Sequence, residues 1–171
     1  MRDGMEDEYE RSPTEDIVAH DEDDDLIHFF VGGEPQPKGS TRAFYVKKLD
    51  RVVTTNSNRN TKQWQLRIAM EAQRANECRK VSFYSPDKCY GYEVETSFIF
   101  QRPKSLPKKV LLNTKRPDLD KLIRAVLDGL ANVIIPDDAQ VISISSKKRY
   151  ADGSEMPGAE ILVRRIKPKK Q

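Results

Sequence analysis

Cysteine and histidine are scarce in this chain of 171 residues, which contains two of each. Cys78 and Cys89 are too few to form a disulfide framework, and we expect both thiols to be reduced. Adding His20 and His28 to these thiols still gives too few ligands to indicate a zinc site. The composition therefore argues against a disulfide-stabilised secreted protein and against a zinc-dependent one.

Long apolar runs are also missing. No segment approaches the ~20 consecutive apolar residues that a membrane-spanning helix needs, and the mean hydropathy is −0.73. The chain starts MRDGMEDEYE, which is the opposite of the basic and apolar start of a signal peptide. We therefore expect about one domain, located in the cytoplasm and without a membrane partner.

The charges are unevenly distributed along the chain. Residues 1–25 hold twelve acidic and two basic residues, which leaves 28 Lys or Arg against 15 Asp or Glu in the remainder. Such a basic remainder is typical of a protein that binds a polyanion. The acidic segment has no periodicity, and we expect it to be a disordered, solvating tail. The alternative is that residues 21–25, DEDDD, compete with the polyanion for the basic surface.

Beyond this tail, periodicity and turn signals outline one α+β domain at 26–166, followed by a basic C-terminal tail at 167–171, KPKKQ. The strands are predicted at 26–31, 43–47, 51–55, 92–100, 139–150 and 159–166. The helices are predicted at 61–77 and from about 118 to 132. The second and third strands form a hairpin, and so do the last two, around ADGSEMPG. The prediction is a mixed, mainly antiparallel sheet with two principal helices.

The segment 116–150 carries the most specific pattern. Six apolar residues follow helical spacing and define one face: Leu119, Leu122, Ile123, Val126, Leu127 and Leu130. Asp118 and Asp120 precede or begin this helix, and Asp137 and Asp138 follow it. Carboxylates beside basic residues at a helix start suit a hard cation such as Mg²⁺ that also binds a phosphate. The pattern predicts a metal-dependent enzyme that acts on nucleic acid.

An ordinary structural explanation competes with this one. Aspartate at a helix start caps the helix and favours its dipole, and an Asp-Asp pair between helix and strand is a common turn. Two helical residues that are separated by one other residue point about 200° apart. Asp118 and Asp120 can therefore converge only if Asp118 stays outside the regular helix, and Pro117 predicts a boundary there.

At these positions the sequence resembles RusA-type Holliday junction resolvases, which are common in phages and prophages. The resemblance rests on RPDLD at 116–120, LDGL at 127–130 and DDAQV at 137–141, followed by a basic strand. The upstream segment GGEPQPKGSTRAF at 32–44 is similar to the N-terminal loop of that family. The resemblance covers about 27–165 and implies a RusA-like fold. It also implies a homodimeric, Mg²⁺-dependent endonuclease that cuts four-way DNA junctions in a bacterial cell.

The resemblance also assigns roles to individual residues. It implies that Asp118, Asp120 and Asp138 are the catalytic aspartates and the ligands of Mg²⁺, with Asp137 as the rival of Asp138. The family usually has Asn where this chain has Lys121, and a catalytic Lys where this chain has Arg124. Arginine can hold a phosphate but does not readily release a proton. We therefore expect Arg124 to act in catalysis by steadying the scissile phosphate.

Basic residues near these motifs are the candidates for DNA binding. Lys38 and Arg42 lie in a loop with Gly39, and glycine lets the backbone approach a phosphate closely. Exposed loop charge is the alternative for this pair. Lys115, Arg116 and Lys121 adjoin the aspartates and complete the candidate set. Two other functions stay open at this point: a module that binds branched DNA without cutting it, and a less selective metal nuclease for flaps or single strands.

Overall fold

The computed structural model of this chain describes residues 22–39, 41–56, 58–107 and 109–167. It contains two α-helices, α1 at Thr61–Glu77 and α2 at Leu119–Leu130. Its six strands are β1 Leu26–Gly32, β2 Thr41–Val46, β3 Arg51–Asn56, β4 Gly91–Phe100, β5 Val141–Tyr150 and β6 Gly158–Ile166. Short 3₁₀ helices occur at Glu22–Asp25, Lys47–Leu49 and Asp138–Gln140.

Four strands form one sheet in the order β1-β6-β4-β5, while β2 and β3 form a separate two-stranded hairpin. Strand β6 runs antiparallel to both β1 and β4, and β5 runs parallel to β4. The two helices and the mixed, mostly antiparallel sheet confirm the predicted α+β class. The predicted hairpin at 43–55 is confirmed as well, and its strands in the structure are β2 and β3.

The predicted hairpin of the last two strands is wrong. Strands β5 and β6 do not pair with each other, because they lie on opposite sides of β4. The chain runs from β4 through α2 to β5, and a crossover through a helix returns the next strand parallel to the first. Segment 151–157 then carries the chain over to the other side of β4. A Gly- and Pro-containing loop has the same sequence signature whether it makes a tight turn or a crossing.

The core lies between one face of the four-stranded sheet and the two helices. Buried residues alternate along β6, and α2 buries one side of its helix, as its apolar spacing predicts. The largest fully buried side chains include Trp64 and Ile68 on α1, Phe98 on β4, Leu122 on α2 and Ile161 on β6. Leu66 and Met70, which also lie on α1, are both 61% exposed.

The helices approach each other closely at Gly129. A Cβ atom added there would stand 2.9 Å from the Cβ of Ile68 and 3.0 Å from the backbone oxygen of Gln65. These distances are shorter than van der Waals contact, so glycine is what lets α2 pack directly on α1. The contact fixes the position of α2 relative to α1.

The residues just before β1 contact the C-terminal end of the domain. The 3₁₀ turn at Glu22–Asp25 precedes β1, and the Asp25 carboxylate pairs with Arg165 at 2.8 Å and with Lys167 at 2.6 Å. Burial opposes ionisation of Asp25, but the hydrogen bonds from Lys167 and Arg165 outweigh it and lower its pKa. Residues 22–25, which the sequence assigns to the acidic tail, therefore contact the C-terminal end of the domain through Asp25.

The rest of both predicted tails, at 1–21 and 168–171, lies outside the described residues. Lys167, which the sequence assigned to the basic tail, is held by Asp25. Among the helices in the described part of the chain, none combines the length and apolar character needed to cross a membrane.

Candidate active site

Asp118 and Asp120 lie at the start of α2, and only one of them is inside it. Asp118 is the N-cap residue with extended backbone angles (φ −70°, ψ 139°), and the helix begins at Leu119. The condition for convergence of the two carboxylates is therefore met. The Arg116–Pro117 peptide bond before them is cis. Asp118 is half-exposed at its side chain and Asp120 is exposed, which leaves their oxygen atoms accessible to a ligand.

Two lysines contact this helix start from different directions. The ammonium group of Lys148 on β5 donates to the backbone oxygens of Lys115, at 2.6 Å, and of Pro117, at 2.9 Å. Lys121 forms an ion pair with Asp118 at 3.2 Å. The first contact fixes the backbone before Asp118, and the second neutralises its carboxylate. Lys148 thus positions the segment that delivers the aspartates.

The loop that follows β1 packs against the same helix start. The N–H group of Lys38 donates to the backbone oxygen of Lys121 at 2.9 Å. The side chains of Asn58 and Thr61 donate to the backbone oxygen of Pro37, at 3.2 Å and 2.8 Å. Between loop and helix lies a cleft of about 460 Å³, lined by Glu34, Pro35, Gln36, Pro37, Asn58, Arg116, Pro117, Asp118 and Lys121. Two motifs that are far apart in the sequence thus face each other across one cleft.

Lys38 does not extend freely from this loop. Its ammonium nitrogen lies 2.8 Å from a carboxylate oxygen of Asp128, and Gln65 donates to the same carboxylate at 2.7 Å. Asp128, the tenth of the twelve residues of α2, therefore turns Lys38 towards the C-terminal half of that helix. Arg42 lies on β2 opposite Thr55, and its side chain is outside what the structure describes.

Asp138 lies at the other end of α2. It begins the 3₁₀ helix that leads into β5, and its side chain is exposed. The carboxylate of Asp137 caps that helix by accepting from the N–H of Ala139 at 2.9 Å, and this hydrogen bond lowers the pKa of Asp137. Gln140 donates to the backbone oxygen of Tyr90 at 3.0 Å, which ties this end to the start of β4. Asp137 thus has a structural role in the turn that leads into β5.

A single chain does not bring the three aspartates together. Helix α2 has 12 residues and is therefore about 18 Å long, with Asp118 and Asp120 at its start and Asp138 beyond its end. Across residues 22–39, 41–56, 58–107 and 109–167, no three His, Cys, Asp or Glu side chains lie close enough to hold a metal ion. Within the described part of one chain, Asp118, Asp120 and Asp138 therefore do not form such a group.

The remaining candidates surround the start of α2. Arg116 lines the cleft, Lys115 is exposed, and Arg124 lies one turn beyond Asp120. Sequence reasoning missed Glu34, which lines the cleft beside Asp118 and whose pKa is raised by burial. It also missed the hydrogen bonds of Asn58 and Thr61, which had no sequence signal. Successive side chains of a strand point to opposite faces, and this alternation could have shown that Lys148 faces away from Lys147 and Arg149.

Comparison with known proteins agrees with this arrangement. The family model described as Endodeoxyribonuclease RusA matches residues 33–164, from the cleft loop through α2 to β6. The Uncharacterized protein YqaN of Bacillus subtilis (strain 168) is 30% identical over 148 residues, which cover 83% of this chain and 98% of that protein. The family match spans more than half of the chain and both ends of α2. The chain therefore belongs to the RusA endodeoxyribonuclease family of Holliday junction resolvases.

Proposed function

We propose that this chain resolves four-way DNA junctions by Mg²⁺-dependent hydrolysis of phosphodiester bonds, within the cytoplasm of a bacterial cell and from a host, prophage or phage gene. The cleft at the start of α2 is the observation that carries the proposal. There the carboxylate of Asp118 lies beside the cations Arg116 and Lys121. Acidic groups that bind a metal and basic groups that bind a phosphate are needed side by side for this reaction.

The residues at the helix start fit a hard divalent cation. Asp118 and Asp120 offer accessible carboxylate oxygens, which are the ligands that Mg²⁺ prefers. Lys121 is the present partner of Asp118, and their ion pair is close to half exposed. Surface pairs of this kind contribute about 0–1 kcal/mol, so a cation can replace Lys121 at little cost. A bound Mg²⁺ would lower the pKa of a water molecule and neutralise charge on the phosphate.

The third carboxylate comes, in this proposal, from a second copy of the chain. A two-fold axis that crosses α2 near its midpoint sets the two helices antiparallel. The partner subunit's Asp138 then lies at the end where Asp118 and Asp120 begin the helix. Ile142 and Ile144 on the edge strand β5 are 62% and 44% exposed, and they offer an apolar surface for such a contact. A homodimer would thus have two active sites, each built from both subunits.

The basic residues bind and orient the DNA backbone. Arg124 lies four residues after Asp120 and so projects from the same side of α2, where its planar guanidinium can hold a phosphate through two hydrogen bonds. Lys115, Arg116 and Lys121 bind neighbouring phosphates. A guanidinium group does not readily release a proton, so Arg124 orients the scissile phosphate and does not act as the acid.

A cleavage assay on a synthetic four-way junction tests the proposal. With Mg²⁺ we expect two symmetric cuts in strands of like polarity, and with EDTA we expect binding without cleavage. Flap, duplex and single-stranded DNA of matched sequence serve as controls and should be cut much more slowly. Binding that never leads to cleavage would assign the chain to branched-DNA binding modules. Equal cutting of junction and flap would assign it to less selective nucleases.

A further inference from the structure

The β2–β3 hairpin exposes an apolar patch at its tip. Tyr45 and Val52 are direct cross-strand partners, so their side chains lie on the same face. They are 56% and 63% exposed, and Leu49 in the connecting turn is 55% exposed. Both strands belong to a two-stranded sheet apart from the main one. The tip therefore presents one aromatic and two aliphatic side chains that the rest of the described structure leaves uncovered.

Positive charge surrounds this patch. Lys47, Lys48 and Arg51 all lie at the same tip, with their side chains largely in solvent. The one acidic residue of the hairpin sequence is Asp50, which has left-handed backbone angles at the end of the turn. Its carboxylate accepts a hydrogen bond from the hydroxyl of Tyr45, and this bond raises the pKa of Tyr45. The bond holds the tyrosine ring along the tip and engages the single negative charge.

We propose that this hairpin tip stacks on unstacked bases at the branch point of the DNA substrate. The inference rests on the proposed function and names the part of the DNA that the tip recognises. Aromatic side chains stack on any base because every base has a π-face, and flanking cations bind the adjacent phosphates. Apolar side chains of proteins that distort DNA insert between base steps in the same way. Bases at a branch point are open to such contacts, whereas those of a continuous duplex are stacked.

The other possible occupant of the patch is a second copy of the chain. Two such tips facing each other would bring Lys47, Lys48 and Arg51 of one copy against the same cations of the other. Like charges in a contact oppose association, while the phosphates of DNA attract all three. The charge of the tip therefore favours DNA over self-association.

Binding measurements with the full chain in EDTA test the inference without cleavage. The measured quantity is the ratio of duplex Kd to four-way junction Kd, with identical arm sequences. Tyr45→Ala should lower this ratio about tenfold, as expected for loss of a base-stacking side chain. Leu49→Ala should lower it through loss of an apolar contact with a base step, and duplex affinity should stay unchanged in both variants. Tyr45→Phe keeps the ring and should keep the ratio. Leu66→Ala, which alters a residue of similar exposure on α1, should also leave it unchanged.

The flanking cations should behave differently from the apolar residues. The double variant Lys47→Ala with Lys48→Ala should weaken duplex and junction binding alike and reduce the slope of log K against log salt by about 2. An unchanged Kd ratio in both Tyr45→Ala and Leu49→Ala would overturn the inference alone. Conversion of a dimer to monomers by these substitutions, measured by sedimentation, would overturn it in favour of self-association. A wild-type chain without any junction preference would overturn the proposed function and this inference together.

Discussion

The ammonium group of Lys148 donates a hydrogen bond of 2.9 Å to the backbone oxygen of Pro117. It donates a second one to the oxygen of Lys115, so one side chain from β5 holds the backbone just before Asp118. Small displacements of reacting groups cost large factors in rate. Lys148 is therefore a positioning residue for the aspartates, although it lies on a different element.

Replacing Lys148 by Met should slow cleavage more than it weakens binding. We expect the single-turnover rate to fall about 10- to 100-fold, because a shift of about 1 Å at the site has this effect, while junction Kd changes far less. Lys147→Met is the matched control, since Lys147 lies on the other face of β5, in a depression with Glu95 and Glu160. Equal losses of rate and affinity would show that Lys148 is a DNA contact instead.

Mixing two inactive variants tests the shared active site. Asp120→Asn and Asp138→Asn should each abolish most cleavage while junction binding stays intact, because each change removes a negative charge near phosphate. In a mixed dimer, one site keeps Asp118 and Asp120 of one chain and Asp138 of the other. We therefore expect nicking of one strand after the two variants are unfolded together and refolded. No recovery of nicking would show that all three carboxylates act within one chain.

The neighbouring aspartates provide the controls for that experiment. Asp118→Asn should be as inactive as Asp120→Asn. Mixing those two variants should not restore nicking, because each active site takes Asp118 and Asp120 from the same chain. Asp137→Asn should retain most activity, since Asp137 accepts from the N–H of Ala139 and an asparagine side chain can still do so. Loss of activity in Asp137→Asn at unchanged stability would show that Asp137, and not Asp138, is the third catalytic aspartate.

Release of Lys38 from Asp128 should strengthen DNA binding. Asp128→Asn weakens the 2.8 Å ion pair and lets the ammonium group turn to the cleft, so we expect tighter junction binding at low salt. The slope of log K against log salt should steepen by about 1, the value for one additional phosphate bound. Adding Lys38→Ala should remove that steepening. A slope that stays steep in the double variant would mean that the gain comes only from removal of the carboxylate charge.

Lys38 and Arg42 together should matter for every DNA shape. The double variant Lys38→Ala with Arg42→Ala should weaken binding to junction and duplex alike. Its salt dependence should be shallower by about 1 for each phosphate that the double variant no longer binds. Salt titrations of fluorescently labelled DNA measure this directly. An unchanged salt slope would show that neither side chain contacts the DNA backbone.

Asp25 should make stability depend on pH in the acidic range. Its pKa lies below the ordinary value of 3.8, so its ion pairs stabilise the fold above that value and are lost as pH falls through the folded-state pKa. Asp25→Asn should reduce the free energy of unfolding by about 1–3 kcal/mol at neutral pH, the range for a partner removed from a buried group. Denaturation curves of variant and wild type should converge as pH falls below the folded-state pKa of Asp25.

Asp24 offers the control for that measurement. Its carboxylate is 3.8 Å from Arg79 and more exposed than that of Asp25. Asp24→Asn should therefore change the free energy of unfolding by less than about 1 kcal/mol at any pH. If the free energies of unfolding of Asp25→Asn and wild type still differ at the acidic limit, then interactions other than the charge of Asp25 account for its stabilising effect.

The individual helices could be predicted from the sequence because residue spacing and helix-boundary residues determine them. Helix α1 has the bounds that its periodicity predicts. Pro117 predicts that α2 begins after Asp118, and the structure has this boundary. The pairing of β5 was not readable, since strand propensity does not say which neighbour a strand will join. That choice depends on the crossover through α2, which is a property of the whole chain.

The sequence predicted only part of the candidate site, for a related reason. Residue spacing places Asp118 and Asp120 at one helix start, and one turn of helix relates Asp120 to Arg124. The distance to Asp138 depends on the direction in which the chain leaves α2, which spacing does not give. The hydrogen bonds of Lys148 and Asn58 join segments that are distant in the sequence, and only the packed fold brings them together.

The close contact at Gly129 couples the two sides of the cleft. Helix α1 holds the loop through Thr61, and α2 carries the aspartates. Any parting of the helices would expose Ile68, which is fully buried and lies beside Gly129, at a cost of about 1.5–3 kcal/mol. The packing of α1 against α2 therefore determines the width of the cleft. In the proposed function, a DNA strand would have to adapt its path to that width, so the packed helix pair would favour DNA that is already distorted.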